Sequence, residues 1–303
     1  KRLLLEILED TMICMKHRVN VTMINEISSI PFRREEREAL CEMVSNKLAK
    51  QQFDGQWRED GSFEWSFFWR WKELIIQRNN PNEKLEMEDY DDKNAPWLDE
   101  YSEDVESVII CYGITSIGQR AFDNCPRLRS VLIPEGTISI KDNAFSNCSL
   151  LQTINIPESI EDISSNPFFD CESLRTIRLT GQESSFELID GVLFHKRNSA
   201  LVHYPKNLRG SYTVPNKTTA IIQNAFRNCQ HLTSITIPYS VHSVHESAFR
   251  SFIMLESLSI LDSVTLVDNY ASSRCKMLTS ITIPKSVKSI SNAYFMGVEV
   301  WSP

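Results

Sequence analysis

The sequence predicts an α/β solenoid, a right-handed stack of short repeats closed at its N-terminal end by a small α+β domain. Three observations lead there. Phenylalanine recurs at 122, 145, 168, 226, 249 and 295, at intervals that are 23 residues, twice 23, or 23 plus a single insertion. Apolar columns keep the same phase, beginning with Leu128, Leu151, Leu174, Leu232, Leu255 and Leu278. Residues 1–82 show no such period, but helical spacing followed by an aromatic alternation. Self-similarity at a fixed period of about 20–50 residues marks repeat architectures.

Within each repeat, an apolar residue follows the leucine after three positions (Val131, Ile154, Ile177, Ile235, Leu258, Ile281). Another follows two positions later (Ile133, Ile156, Leu179, Ile237, Ile260, Ile283). The resulting L-x-x-I-x-I is a short strand with alternate residues on one face, and 23 residues falls in the leucine-rich-repeat range of about 20–29. Proline at 134, 157, 215, 238 and 284 then ends strand pairing. A second apolar pair comes next, such as Ile160 and Ile163 or Val241 and Val244, before Ala-Phe-x-x-Cys returns the chain. One unit cannot bury both its strand face and its phenylalanine, so neighbours must stack over one continuous core. Extrapolation back to Val105, Val108 and Ile110 starts the leucine-rich-repeat solenoid near residue 105, giving about eight stacked strands over 105–303. The unit between Phe168 and Phe226 carries 12 extra residues, expected to emerge as a hairpin at about 186–205.

The motif from Cys229 to Phe249, CQHLTSITIPYSVHSVHESAF, resembles the BspA-like leucine-rich repeat of bacterial surface proteins. Asp190-Gly191-Val192-Leu193-Phe194 through Leu201-Val202-His203-Tyr204-Pro205 resembles the hairpin insertion of that family, and Ala95-Pro96-Trp97 the segment ahead of its arrays. Departures fall at Ser272 in the phenylalanine slot, Thr180 and Leu261 in the proline slot, and Pro167 in the alanine slot. The resemblance implies a cell-surface or secreted protein that mediates adhesion to host or cell-surface proteins. The opening Lys1-Arg2-Leu3-Leu4-Leu5 is interrupted by Glu6 and is not a signal region, which leaves a cytoplasmic location open.

Five cysteines share one repeat slot: Cys125, Cys148, Cys171, Cys229 and Cys275. Phe252 and Val298 fill the same slot, so the position calls for apolar volume, and a buried thiol supplies it. Parallel side chains on stacked units also fit poorly with a disulfide dihedral near about 90°. No C-x-x-C, G-x-S-x-G, H-E-x-x-H, P-loop or dinucleotide fingerprint occurs, so no catalytic or cofactor-binding residue and no metal site is assigned. His242 and His245 alternate with Val241 and Val244 and read as a solvated face. His195 and His203, on the hairpin arms, lack a third ligand. The expectation is a protein without enzymatic activity.

Outward strand positions give a hydroxyl column, Ser107, Ser130, Thr153, Thr176, Ser211, Ser234, Ser257 and Ser280. Such ladders solvate a sheet by cross-strand hydrogen bonds. The second column, Ile109, Leu132, Asn155, Arg178, Thr213, Thr236, Ser259 and Thr282, grades from apolar to hydroxylic. Ile109, Leu132, Asn155 and Arg178 are the expected partner-binding residues, since arginine beside exposed apolar groups has an interface composition. A protein partner suits this nearly uncharged surface, and a glycan is the alternative.

The N-terminal region is read as a helical and aromatic-hairpin domain over 1–82 and an acidic connector over 83–104. Leu4, Leu8, Met12 and Met15 share one helical face, and Leu40, Val44 and Leu48 mark a second helix after Pro31. Phe63, Trp65, Phe67, Trp69 and Trp71 then alternate as a strand behind the hairpin signal Asp60-Gly61. A three-residue bulged turn, pairing Trp57 with Phe63 and Phe53 with Phe67, would gather the aromatics on one face. Helix, helix and hairpin is also the order of a winged helix. Arg33, Arg34, Arg37, Lys47 and Lys50 are nearly balanced by Glu35, Glu36, Glu38 and Glu42, which argues against a nucleic-acid partner. The remaining readings are an aromatic carbohydrate platform and a domain that closes the open end of the stack. The chain's net charge of -8 resides in its acidic segment, where ten carboxylates between Glu83 and Asp104 face only Lys84 and Lys93. With no apolar run near the roughly 20 residues of a bilayer span, membrane insertion is not expected.

Overall fold

The structure, a computed structural model, describes residues 58–301 apart from 61–62, 69–71, 79, 81–82, 91–94, 269, 279, 283–284 and 288–298. The two expected N-terminal helices, together with Phe53, Trp57, Trp69 and Trp71, lie outside the described residues. Strand β1 (Arg58–Asp60) runs antiparallel to β2 (Phe63–Phe68), with Asp60 opposite Phe63 and Arg58 opposite Trp65. This register leaves two residues, Gly61 and Ser62, in the connection and corrects the expected three-residue bulged turn. The register also sets the Arg58 guanidinium 5.1 Å from the Trp65 ring centre.

Strand β3 (Glu73–Arg78) extends this hairpin and also pairs in parallel with β5 (Ser107–Ile110), so hairpin and solenoid share one sheet. Beyond it, β4 (Leu85–Glu86) pairs with β6 (Ile114–Ile117), and a one-turn helix α1 (Leu98–Tyr101) follows buried Trp97. Trp97 takes the phenylalanine place of this first coil. Its ring stacks on Phe122 at 5.9 Å and its Nε1 donates to Ala121 O at 2.8 Å. Acidic residues of the segment hold its edges: Glu100 pairs with Arg58, Asp104 with Lys72 and Asp89 with Lys141.

Each repeat lays down two strands. The L-x-x-I-x-I segments continue from β5 as β7 (Ser130–Leu132), β9 (Thr153–Ile156), β11 (Thr176–Leu179), β15 (Gly210–Thr213), β17 (Leu232–Thr236), β19 (Ser257–Ser259) and β21 (Ser280–Thr282). The second apolar pairs continue from β6 as β8 (Ser139–Ile140), β10 (Asp162–Ile163), β14 (Ala200–His203), β16 (Ala220–Ile221), β18 (Ser243–Val244) and β20 (Leu266–Val267). Pairing between the regular coils is parallel and in register with the 23-residue period, as in Ser107 with Ser130 and Ser243 with Leu266, whereas β14 of the lengthened coil pairs with β16 off that period, Ala200 with Ala220. A final strand, β22 (Glu299–Trp301), pairs with β21.

Two corners per coil turn in the left-handed region. Asn143, Asn166, Asn224 and Ser247 occupy one column and Asn124, Asn147, Asp170, Asn228 and Ser251 the other, all with φ between 35° and 60°. Asparagine and aspartate are the non-glycine residues that enter this region most readily. The phenylalanines between these corners stack coil on coil, Phe122 on Phe145 at 5.3 Å and Phe226 on Phe249 at 5.5 Å. The register cysteines are buried free thiols. They contribute more than volume: Cys148, Cys171 and Cys275 each donate from Sγ to the carbonyl of Phe122, Phe145 and Phe249, at 3.2, 3.0 and 3.2 Å. Burial pushes the thiols of Cys125, Cys148 and Cys229 well up, and that of Cys275 up to about 11. They are held away from the reactive thiolate.

The lengthened coil forms the expected hairpin. Strand β12 (Phe186–Ile189) and β13 (Val192–His195) join through Asp190 and Gly191, both at positive φ as a type I′ turn requires, and β13 pairs on to β14. After β14 the coil cuts its corner short, since Tyr204 N already donates to Ala225 O. Corners 58 residues apart therefore meet across it: Asn166 Nδ2 donates to Asn224 O at 2.9 Å and Asn228 Nδ2 to Asp170 Oδ1 at 2.5 Å. The core divides here. Phe186, Leu193 and Val202 belong to the N-terminal apolar cluster, and Val192, Phe194, Leu201 and Tyr204 to the C-terminal one.

Candidate functional site

Strand register brings the expected binding residues onto one face. Ile109 is paired with Leu132, and Asn155 with Arg178, with side chains opposite to the inward Val108, Val131, Ile154 and Ile177. Their accessibility differs from the expectation. Ile109, Leu132 and Asn155 are 1%, 6% and 7% exposed, and only Arg178 stands in solvent. The burial extends across the sheet: Ile75 of β3, beside Ile109, is 2% exposed, and Ser66 of β2, beside Ile75, is buried too. The outward face at this end is thus a second, smaller apolar layer rather than open sheet.

Farther along, the same face is open. Thr176, Arg178, Ser211, Thr213, Thr236 and Ser259 are exposed, and Thr213, Thr236 and Ser259 are directly paired across β15, β17 and β19. Hydroxyls spaced by the roughly 4.8 Å between strands form a flat array of donors and acceptors.

A second surface feature lies on the side of the short strands. Ile163, Ser165, Ile222, Gln223, His245, Glu246 and Asp268 line an open recess of about 390 Å³ where the two arrays meet. Within it His245 Nδ1 faces Asp268 Oδ2 at 3.1 Å and Ser243 Oγ lies 3.3 Å from His245 Nε2. Sequence reading placed His245 on a solvated face and missed this chain of contacts; its signal was the 23-residue spacing of His245 and Asp268. The order of groups is that of a hydrolytic relay, yet the N–H groups of His242 and His245 are donated to Thr219 O and Ile221 O of the neighbouring coil. Those two are unavailable as the oxyanion donors that acyl transfer requires.

The hairpin histidines have different surroundings. His195 lies edge-on to Phe186 at 5.0 Å, whereas His203 is buried edge-on to Phe168 at 5.7 Å. Among the described residues no group of three side chains could hold a metal ion, and no helix is long and apolar enough to cross a membrane.

Comparison with known proteins agrees with this architecture. The BspA type leucine-rich repeat region matches residues 100–210 and 204–301, in six copies. Among solved structures, a leucine-rich cell surface protein from Faecalibacterium prausnitzii A2-165 superposes with a TM-score of 0.55 at 20% identity. The match covers 82% of this chain and 96% of that one. The pneumococcal vaccine antigen PcpA also superposes with a TM-score of 0.55, at 16% identity, over 82% of this chain and 88% of its own. No curated protein sequence matches. With stacked 23-residue coils, an aromatic column between left-handed corners and matches over most of residues 100–301, the chain belongs to the BspA type leucine-rich repeat family.

Proposed function

We propose that this chain is a non-enzymatic interaction or adhesion module at a cell surface or in the secreted space, binding a protein partner through the open part of its strand face. The observation that carries this reading is the exposed array of Arg178, Thr213, Thr236 and Ser259. Arg178 stands on β11, the hydroxyls are paired across β15, β17 and β19, and the whole carries little charge. Solenoids bind along such extended surfaces, and Arg178 is its candidate anchor. The cell-surface title of the Faecalibacterium protein supports the compartment by likeness alone. Ile109, Leu132 and Asn155, buried on the same face, remain part of the proposed patch only as its support, with Asn155 directly beside Arg178.

The test is retention of immobilised matrix and cell-surface proteins by the wild type, by Arg178→Ser and by Thr213→Glu with Thr236→Glu. Binding should weaken about tenfold or more, a loss of about 1.4 kcal/mol or more, with the melting temperature unchanged. Normal binding by both variants places the site elsewhere. Loss of binding only in the threonine variant moves its centre to the C-terminal strands.

A further inference from the structure

The corners of the C-terminal array carry a line of cations. Arg227 and Arg250 are successive copies of one slot, and Arg274 stands one coil further on in the adjacent slot. The corners bond directly, Asn228 N to Arg250 O at 3.1 Å and Ser251 N to Ser273 O at 2.9 Å. Lys206, in the cysteine slot of the lengthened coil, precedes them. Its side chain is 12% exposed and its Nζ lies 3.6 Å from Asp170. Two of the guanidiniums are held flat by rings, Arg227 over Phe169 at 4.0 Å and Arg250 over Tyr270 at 5.6 Å.

These cations are only partly satisfied: Lys206 has Asp170 at 3.6 Å and Arg227 donates from one Nη to Asn224 Oδ1 at 3.5 Å. Lys206 Nζ, Arg227 Nε and Arg250 Nε are all buried without a hydrogen-bond partner. Burial and the charges of Arg250 and Arg274 pull the Arg227 pKa down, and Asp170 is the carboxylate that opposes them. Buried donors left unsatisfied are destabilising, and like charges on adjacent coils add to that. An oxyanion ligand at the outer guanidinium nitrogens would offset the like-charge repulsion. The line is extended rather than cupped: coils about 4.8 Å apart place Arg227 and Arg274 about 10 Å from each other. That suits a linear polymer with repeated oxyanions better than a single small anion. Planar guanidiniums engage such groups through paired N–H donors. Nucleic acid suits the line less well, because the nearby rings Phe169 and Tyr270 are already covered by arginine and offer no face on which bases could stack.

We propose that Arg227, Arg250 and Arg274 form a binding line for a sulfated polysaccharide, with the buried Nζ of Lys206 adding to its positive potential from behind. It lies on the corners rather than the strand face, so it stands or falls independently of the protein-binding reading above. The experiment compares wild type, Arg250→Gln with Arg274→Gln, and the control Arg129→Gln with Lys217→Gln, which removes the same charge elsewhere. Each is titrated with heparin, fully desulfated heparin, a short DNA duplex and inorganic sulfate. Heparin is expected to bind the wild type and the control alike and the corner variant at least about fivefold more weakly, with a shallower salt dependence, as expected for fewer neutralised groups. Equal heparin binding by corner variant and control would overturn the proposal. So would undiminished binding of desulfated heparin, tighter binding of DNA, or displacement of heparin by inorganic sulfate at equal sulfate concentration. Thermal melts accompany each variant, and should the double variant melt early, Arg274→Gln alone, at an exposed position, decides by the same criteria.

Discussion

His203 lies 23 residues before Phe226 and packs edge-on to Phe168, with both ring nitrogens buried and without a hydrogen-bond partner. Burial first, and the charge of Lys206 second, lower its pKa to about 3. An unfolded histidine titrates near about 6.5. Below that pH the unfolded chain takes up a proton that the folded ring refuses. Stability is therefore full above about pH 6.5 and falls by about 1.4 kcal/mol per unit toward the folded pKa. His203→Phe should raise stability at pH 7 by about 1–3 kcal/mol and flatten this acid slope, as urea melts from pH 7 to pH 4 would show. A less stable variant at pH 7 would mean that the ring makes a bond the geometry does not contain. Leu132 offers the opposite case. Alternation correctly put it on the outer face, but whether a face meets water depends on what packs against it, and strand spacing holds no record of that. Leu132→Ser should cost about 2–4 kcal/mol, whereas Arg178→Ser should stay within about 0.5 kcal/mol. Comparable effects in denaturant melts would contradict the burial difference.

The coil owes its shape to its two corners more than to its strands, which are two to five residues long. The strands were legible because apolar columns repeat in phase. The corners were just as periodic, with Asn124 and Asn147 23 residues apart and Asn143 and Asn166 likewise. They passed unread because polar columns suggest solvent rather than backbone conformation. Asn228→Ala removes both the left-handed tolerance and the bond to Asp170, and should cost about 2 kcal/mol. Ser251→Asn, at φ 60° in the same column, should stabilise by a few tenths to about 1 kcal/mol. Melting temperatures that move in the same direction for the two substitutions would refute the role given to the corners. The β1–β2 hairpin was half legible: the aromatic alternation gave β2 and its inward face but not the turn register, and the parallel partner of β3 is a strand some thirty residues away.

Across the whole molecule, contacts run from coil to neighbouring coil, and the apolar core is two clusters that meet at the hairpin. Stability in such a stack is a sum of local terms, and cooperativity can break at its weakest interface. Five of the six tryptophans lie at or before residue 97, so their fluorescence reports the N-terminal end. Labelling of Cys229 and Cys275, in a chain with Cys14, Cys41, Cys111, Cys125, Cys148 and Cys171 replaced by serine or alanine, reports the C-terminal array. The two probes should give different midpoints in guanidinium, and a single shared midpoint would show that the junction transmits cooperativity in full. The period and the hairpin were legible from sequence. The divided core was not, because it arises where a corner is omitted, and an omission leaves no residue to recognise.

That shortened corner bears on how such an array changes length over generations. Removing Cys171 through Pro205, 35 residues, would leave Phe168 and Phe226 one period apart, with Tyr212 and Val214 falling into the strand slots of the deleted coil. The corners that become neighbours in the shorter chain, 166–170 and 224–228, already hydrogen-bond in the longer one. Recombination at this point can therefore add or drop the hairpin-bearing coil as a cassette, while the flanking corners keep contacts they already have.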